Sequence, residues 1–117
     1  MELLEELETM GVNVQEGLDR VIGDKDLYVM MLDMFVDAVK QKPIELADFD
    51  AADYDGLTKQ VHTLKGTTGN LSITPLFEMY NEILGMLRDG NPAPAKALMT
   101  KLLPVQEKII DCIVRHK

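Results

Sequence analysis

His62 sits in the stretch VHTLKGTTGN, residues 61–70, with Lys59 three residues before it, Lys65 three after, Gly66 four after and Gly69 seven after. A neutral imidazole nitrogen is a competent nucleophile. Ammonium groups on adjoining turns of a helix disfavour a protonated ring and favour an anion bonded to it. A phosphoryl group is such an anion. Glycine inside a helix costs up to about 1 kcal/mol relative to alanine, so two of them beside one histidine point to close approach of something to the backbone. The chemistry this pattern could do is phosphoryl transfer through histidine, with the other catalytic parts supplied by a partner. The competing reading is a plain solvated helix face, which spacing alone favours.

The helix that must position these residues spans about residues 54–71. At about 100° per residue, Leu57, Val61, Leu64, Thr68 and Leu71 form one stripe. That stripe has to face a core. His62 then lies about 140° away from the stripe's centre, on the solvent side. Gly66, Gly69, Asp55 and Thr58 share its face, and Lys59 and Lys65 flank it.

The flanking sequence reads as further helices. Residues 2–10 place Leu3, Leu4, Leu7 and Met10 at helical spacing before Gly11. Asn13 is an N-cap candidate, with Glu16 completing a capping box and Val12 as a staple. That helix carries Val14, Leu18 and Val21 and stops at Gly23. Asp24 opens a longer helix over about 25–40, with Tyr28, Met31, Leu32, Phe35 and Val39 as its stripe. Pro43 interrupts the pattern, and Ile44 to Ala47 resume it as a helical turn. Asp50 or Asp53 caps the histidine helix. Thr74-Pro75 and Asn91-Pro92 are start signals for two more helices. The first carries Leu76, Phe77, Tyr80, Ile83, Leu84 and Leu87 and stops near Gly90; the second carries Leu98, Leu102, Val105, Ile109 and Ile113. Pro104 falls inside the last, where a kink or break is expected. The expected fold is all-α: one domain over residues 1–117, an antiparallel four-helix bundle with one or two short additional N-terminal helices.

Composition narrows the function. Eight methionines, many leucines and 5% aromatics favour helices over strands. A net charge of −8 disfavours nucleic acid and anionic membrane surfaces. No apolar run approaches the 18 or so residues that span a bilayer, and the acidic start MELLEELETM has no signal-peptide character. A cytoplasmic, soluble protein without membrane insertion is expected. The single cysteine, Cys112, reads as a buried or half-buried thiol among Ile109, Ile110 and Ile113. His116, at the C-terminal end of the last helix, reads as inert. No metal centre is expected, since His62 has no His, Cys or carboxylate three or four residues on. A nucleophile elbow and a Walker loop are both absent.

The run His62-Thr63-Leu64-Lys65-Gly66-Thr67-Thr68-Gly69 resembles the motif of the histidine-containing phosphotransfer (HPt) domains of bacterial multistep phosphorelays. Upstream, GLDRVIGDKDLYVMMLDMF (residues 17–35) is similar to that family's leading helix, turn and first long helix, and the resemblance covers about residues 12–90. Thr67 and Thr68 stand where the family usually has Ser or Ala, and Ser72 where glycine is common. The resemblance implies that His62 is the phosphoacceptor, through the ring nitrogen farther from the backbone. It implies that Lys65 steadies the phosphoryl oxygens and that Gly66 clears room for a partner, with Gly69 serving clearance or tight packing and Lys59 in a secondary role. It implies response-regulator receiver domains as partners, together with a hybrid sensor kinase, and a monomeric chain. Such a chain has no cofactor of its own, since the receiver carries Mg²⁺, and no autonomous kinase activity.

Two other readings stay open: a receiver-binding module through which no phosphate moves, and the dimerisation and phosphoacceptor region of a sensor histidine kinase. Leu27, Met30 and Met34 fall outside the core stripe of their helix. Methionine surfaces adapt to several partners, but the preferred expectation packs these three beneath the N-terminal helix or into a wide core.

Overall fold

Side-chain caps and left-handed turns set the helix boundaries. The computed structural model describes residues 1–117, with six α-helices, one 3-10 turn and no strand. The helices are α1 (Leu3–Thr9), α2 (Val14–Arg20), α3 (Lys25–Gln41), α4 (Asp55–Asn70), α5 (Thr74–Arg88) and α6 (Pro92–Arg115), and the 3-10 turn covers Leu46–Asp50. The Asn13 side chain accepts from the Glu16 N–H at 3.1 Å and Asp24 from the Leu27 N–H at 3.0 Å, so α2 and α3 start where capping chemistry places them. The reciprocal half of the expected capping box at α2 does not form. The Glu16 carboxylate accepts instead from the Ser72 hydroxyl at 2.8 Å and from Arg20 at 3.3 Å. Asp53 accepts from the Asp55 N–H at 3.0 Å at the head of α4, while Asp50 is drawn to Lys96 at 2.7 Å. Thr74 lies inside α5 and Ile73 holds its N-cap.

Four helices end in the same way. The N–H two residues past the cap reaches back to a carbonyl of the last turn: Val12 to Leu7, Gly23 to Leu18, Ile73 to Thr68 and Asn91 to Met86, at 2.8–3.1 Å. This closure requires a left-handed residue between them. Gly11 and Gly90 supply it in α1 and α5, with φ of 93° and 78°. In α2 and α4 the position falls to Ile22 (φ 57°) and Ser72 (φ 56°), residues whose Cβ opposes that conformation. Glycine at either position would take this angle without strain.

Pro104 does not break α6, which runs unbroken through it. Proline removes one N–H from the ladder and leaves the carbonyl four residues earlier, on Thr100, without it. Both Pro104 and Thr100 are exposed residues. After Pro43 the chain forms the 3-10 turn over Leu46–Asp50 rather than a helical turn over Ile44–Ala47. Glu45 and Asp48 close a reciprocal capping box there.

The core is one cluster of 26 buried apolar residues. α5 lies between α4 and α6; α1 packs on α2 and α6, and α3 on α2 and α6. The whole measures 43 × 25 × 23 Å. In α6 the expected stripe is turned by about one residue: Ala95, Met99, Leu102, Gln106, Ile109 and Ile113 are buried, while Leu98 and Val105 are half-buried. Leu27, Met30 and Met34 are 36%, 52% and 61% exposed, so neither the N-terminal helix nor the core covers them. α1 contacts α2 and α6 and leaves that face of α3 open. No helix is long and apolar enough to cross a membrane.

Buried polar groups find partners across helices. The Tyr28 hydroxyl donates to the Leu71 carbonyl at 2.7 Å, and the Tyr80 hydroxyl donates to the Gln106 side-chain oxygen. Burial pushes the Tyr28 phenol up to about 12 and the Tyr80 phenol well above its usual value. At the seam between α1 and α6, Arg115 donates to Glu6 at 2.5 Å. The Cys112 thiol and the Arg115 guanidinium hold the Glu6 carboxyl down to about 2. Burial, then Glu6 itself, pushes the Cys112 thiol up to about 12.

The Tyr28 bond gives a testable pH dependence. The folded phenol ionises at about 12 against an ordinary 10.0. Its contribution is therefore complete below pH 10 and falls away as pH rises through 12. Tyr28→Phe is expected to lose roughly 1 kcal/mol near pH 8. In urea denaturation the gap between the two proteins should narrow as pH passes 10, and a constant gap would remove the phenol from the balance.

Candidate functional site

Intrinsic propensity does not make α4. Its 16 residues include Gly56, Gly66 and Gly69, and four threonines, Thr58, Thr63, Thr67 and Thr68. All four threonine hydroxyls turn back to the carbonyl four residues earlier, at 2.8–3.1 Å. Such a helix holds together through packing. Leu57, Val61, Leu64, Thr68 and Leu71 are all buried, as the 3.6-residue period requires, and α5 packs along the helix. At its head, the Gln60 amide donates to the Lys42 carbonyl at 2.5 Å and ties it to the end of α3.

The C-terminal end of α4 is fastened more heavily. Arg20 donates to the Gly69 carbonyl, Tyr28 to the Leu71 carbonyl, and the Asn13 N–H to the Ser72 carbonyl at 2.9 Å. The Ser72 hydroxyl donates to Glu16. These bonds from α2 and α3 satisfy carbonyls that a helix end leaves free. They also hold the rotation of α4 about its axis.

With the stripe buried and the end clamped, His62 is exposed. Lys65, one turn on, is half-buried and lines a polar cleft of about 530 Å³ with Gly66, Asn70, Glu16 and Arg20. On the opposite flank, Lys59, Gln60 and Thr63 line a groove of about 400 Å³ shared with α3, and Thr67 lines another of about 270 Å³ with Met31 and Met34. The histidine face is thus a ridge with open ground on both sides. Lys59 is exposed and pairs with Asp55 at 3.4 Å, a contact of the solvated i,i+4 kind. Lys65 makes no ion pair with any carboxylate of the chain, which leaves its ammonium free to meet an anion from outside.

The two glycines prove different. A Cβ on Gly66 would meet no atom within 4 Å. A Cβ on Gly69 would lie 2.9 Å from the Phe77 ring of α5. The missing side chain at 69 serves the close packing of α4 on α5, not clearance above the helix. The structure also brings in residues that sequence reasoning passed over. Arg20 meets Gly69 across 49 residues of chain, and Phe77 meets it from the next helix, so no spacing within one helix pairs them. His116 lies 3.6 Å from Glu6 and shares a cluster with Cys112, rather than standing free at the end of α6. None of these three is on α4.

Comparisons with protein families, with curated proteins and with solved structures returned no match.

The glycine geometry fixes two outcomes of opposite sign. Gly66→Ala is expected to stabilise the fold by up to about 1 kcal/mol, because helix propensity improves and the site is open. Gly69→Ala is expected to destabilise by about 1 kcal/mol, as the Phe77 ring must shift by more than propensity returns. Thermal denaturation of both variants checks this, and effects of the same sign would refute the assignment.

Proposed function

We propose that the chain is a histidine-containing phosphotransfer domain, an intermediate of a multistep phosphorelay. The observation that carries this reading is the placement of His62: solvent-exposed, on the face of α4 away from the buried stripe, with unpaired Lys65 one turn on and bare backbone at Gly66. In this reading α3 to α6 are the four main helices of an antiparallel bundle, and α1 and α2 are its short N-terminal additions.

The reaction needs little from the chain itself. A receiver domain presents a phosphoaspartate with its own Mg²⁺. The outer ring nitrogen of His62 attacks phosphorus; the N–P bond forms as the P–O bond to the aspartate breaks and its carboxylate leaves with the electron pair. Transfer to a second receiver is the reverse. Lys65 neutralises developing charge on the phosphoryl oxygens, and Gly66 lets the receiver's loops approach the helix. Lys59 adds positive potential at the margin, tempered by Asp55. The exposed Leu27, Met30 and Met34 on α3 offer an adaptable apolar patch for the partner. The chain acts as a monomer in the cytoplasm, without a cofactor of its own and without hydrolysing ATP.

Incubation with a phosphorylated receiver should place acid-labile, base-stable label on the chain, and His62→Gln should abolish it. Label that persists in His62→Gln would sink the assignment; binding of the receiver without labelling would establish a docking module instead. Lys65→Ala is expected to slow transfer by up to about a hundredfold, less than a buried oxyanion donor costs. Rapid-quench rates check this, and an unchanged rate would take Lys65 out of the mechanism.

A further inference from the structure

The seam between α1 and α6 gathers three different metal-ligating groups from opposite ends of the chain. Glu6 comes from α1, Cys112 from α6, and His116 from the residue that caps α6. One ligand atom of each lies within 4.8 Å of the other two. Cys112 and His116 are four residues apart, so they stand one above the other on one helix face. Glu6 closes the third side from the facing helix.

The two Glu6 oxygens are divided between neighbours. Oε2 takes the Arg115 guanidinium at 2.5 Å, whereas Oε1 faces the His116 Nε2 at 3.6 Å. The Arg115 bond holds the carboxylate plane and leaves Oε1 directed at the imidazole. Outer-sphere partners of this type orient ligating carboxylates in metal sites. The Cys112 thiol is fully buried, while the side chains of Glu6 and His116 are 18% and 23% exposed. The cluster therefore has a dry floor and a wet rim through which an ion can enter.

We infer that Glu6, Cys112 and His116 form a binding site for a divalent transition metal, with zinc as its best fit. A thiolate, an imidazole and a carboxylate together suit a borderline-soft ion and disfavour Ca²⁺ or Mg²⁺, which seek oxygen. In tetrahedral zinc sites, ligand atoms stand about 3.3–3.8 Å apart. His116 lies at a helix cap with a partly exposed side chain, so it can close the remaining ångström. On binding, the Cys112 S–H proton leaves to water as the metal–sulfur bond forms, and the fourth position takes a water. The site is separate from the His62 face, and its consequence is mechanical: the ion staples α1 to α6.

The test titrates the untagged chain with ZnCl₂ and, for spectroscopy, CoCl₂. One equivalent should bind, Co²⁺ should give a thiolate charge-transfer band, and the thermal midpoint should rise with Zn²⁺ concentration. Cys112→Ser should lose the band. Because Cys112 is in the core, that variant could fail to fold. His116→Ala, at the rim, leaves the core intact and is expected to weaken binding at least tenfold and to lose the rise in midpoint. Absence of a sulfur band in the unaltered chain, or undiminished binding by folded His116→Ala, would overturn the site.

Discussion

The rest of the structure depends on how the C-terminal end of α4 is held. A helix end leaves carbonyls without partners, and here Gly69, Leu71 and Ser72 each lend theirs to another segment: Arg20, Tyr28 and the backbone of Asn13. Ser72 turns left-handed to close α4 and send the chain into α5. Its hydroxyl donates to Glu16, which offsets part of the cost of that conformation. Because α2 and α3 grip the end of a helix whose other face is packed on α5, the rotation of α4 is set from both sides. Any slip of that rotation would carry His62 toward the core or Leu64 toward water.

That constraint explains a sequence which is otherwise a poor helix. Three glycines and four threonines in 16 residues would fray in isolation. Tertiary support frees the exposed face from the need for strong helix formers. Gly66 is tolerated where a helix built for stability would place alanine, and bare backbone results beside the imidazole. Stability is supplied by the buried stripe and the clamp, and the exposed face contributes little to it.

The two ends of the molecule use charge differently. Near His62, the Lys65 ammonium is left without a carboxylate partner. At the seam of α1 and α6, the Arg115 guanidinium and the His116 ring both converge on Glu6, and Lys117 lies 3.7 Å from Asp33. Paired charge joins elements in one place, and in the other an ammonium stands without a carboxylate partner.

Much of this was legible in local order. The period of Leu57, Val61, Leu64, Thr68 and Leu71 fixes the buried face of α4, and so the outward direction of His62, because 3.6 residues per turn leaves no choice once the stripe is covered. Asn13, Asp24, Gly11 and Gly90 mark helix ends through bonds that reach only a few residues, and those boundaries were readable for that reason. Tertiary structure alone decided whatever needs two distant segments to meet. Gly69 answers to the Phe77 ring of the next helix, Glu16 leaves its capping box for Ser72, and Pro104 rides in an unbroken helix. Met30 and Met34 stay exposed because α1 packs elsewhere. Glu6, Cys112 and His116 converge through the packing of α1 on α6. Spacing along a chain encodes direction around one helix axis, but which helix stands opposite is settled only when the cores are packed.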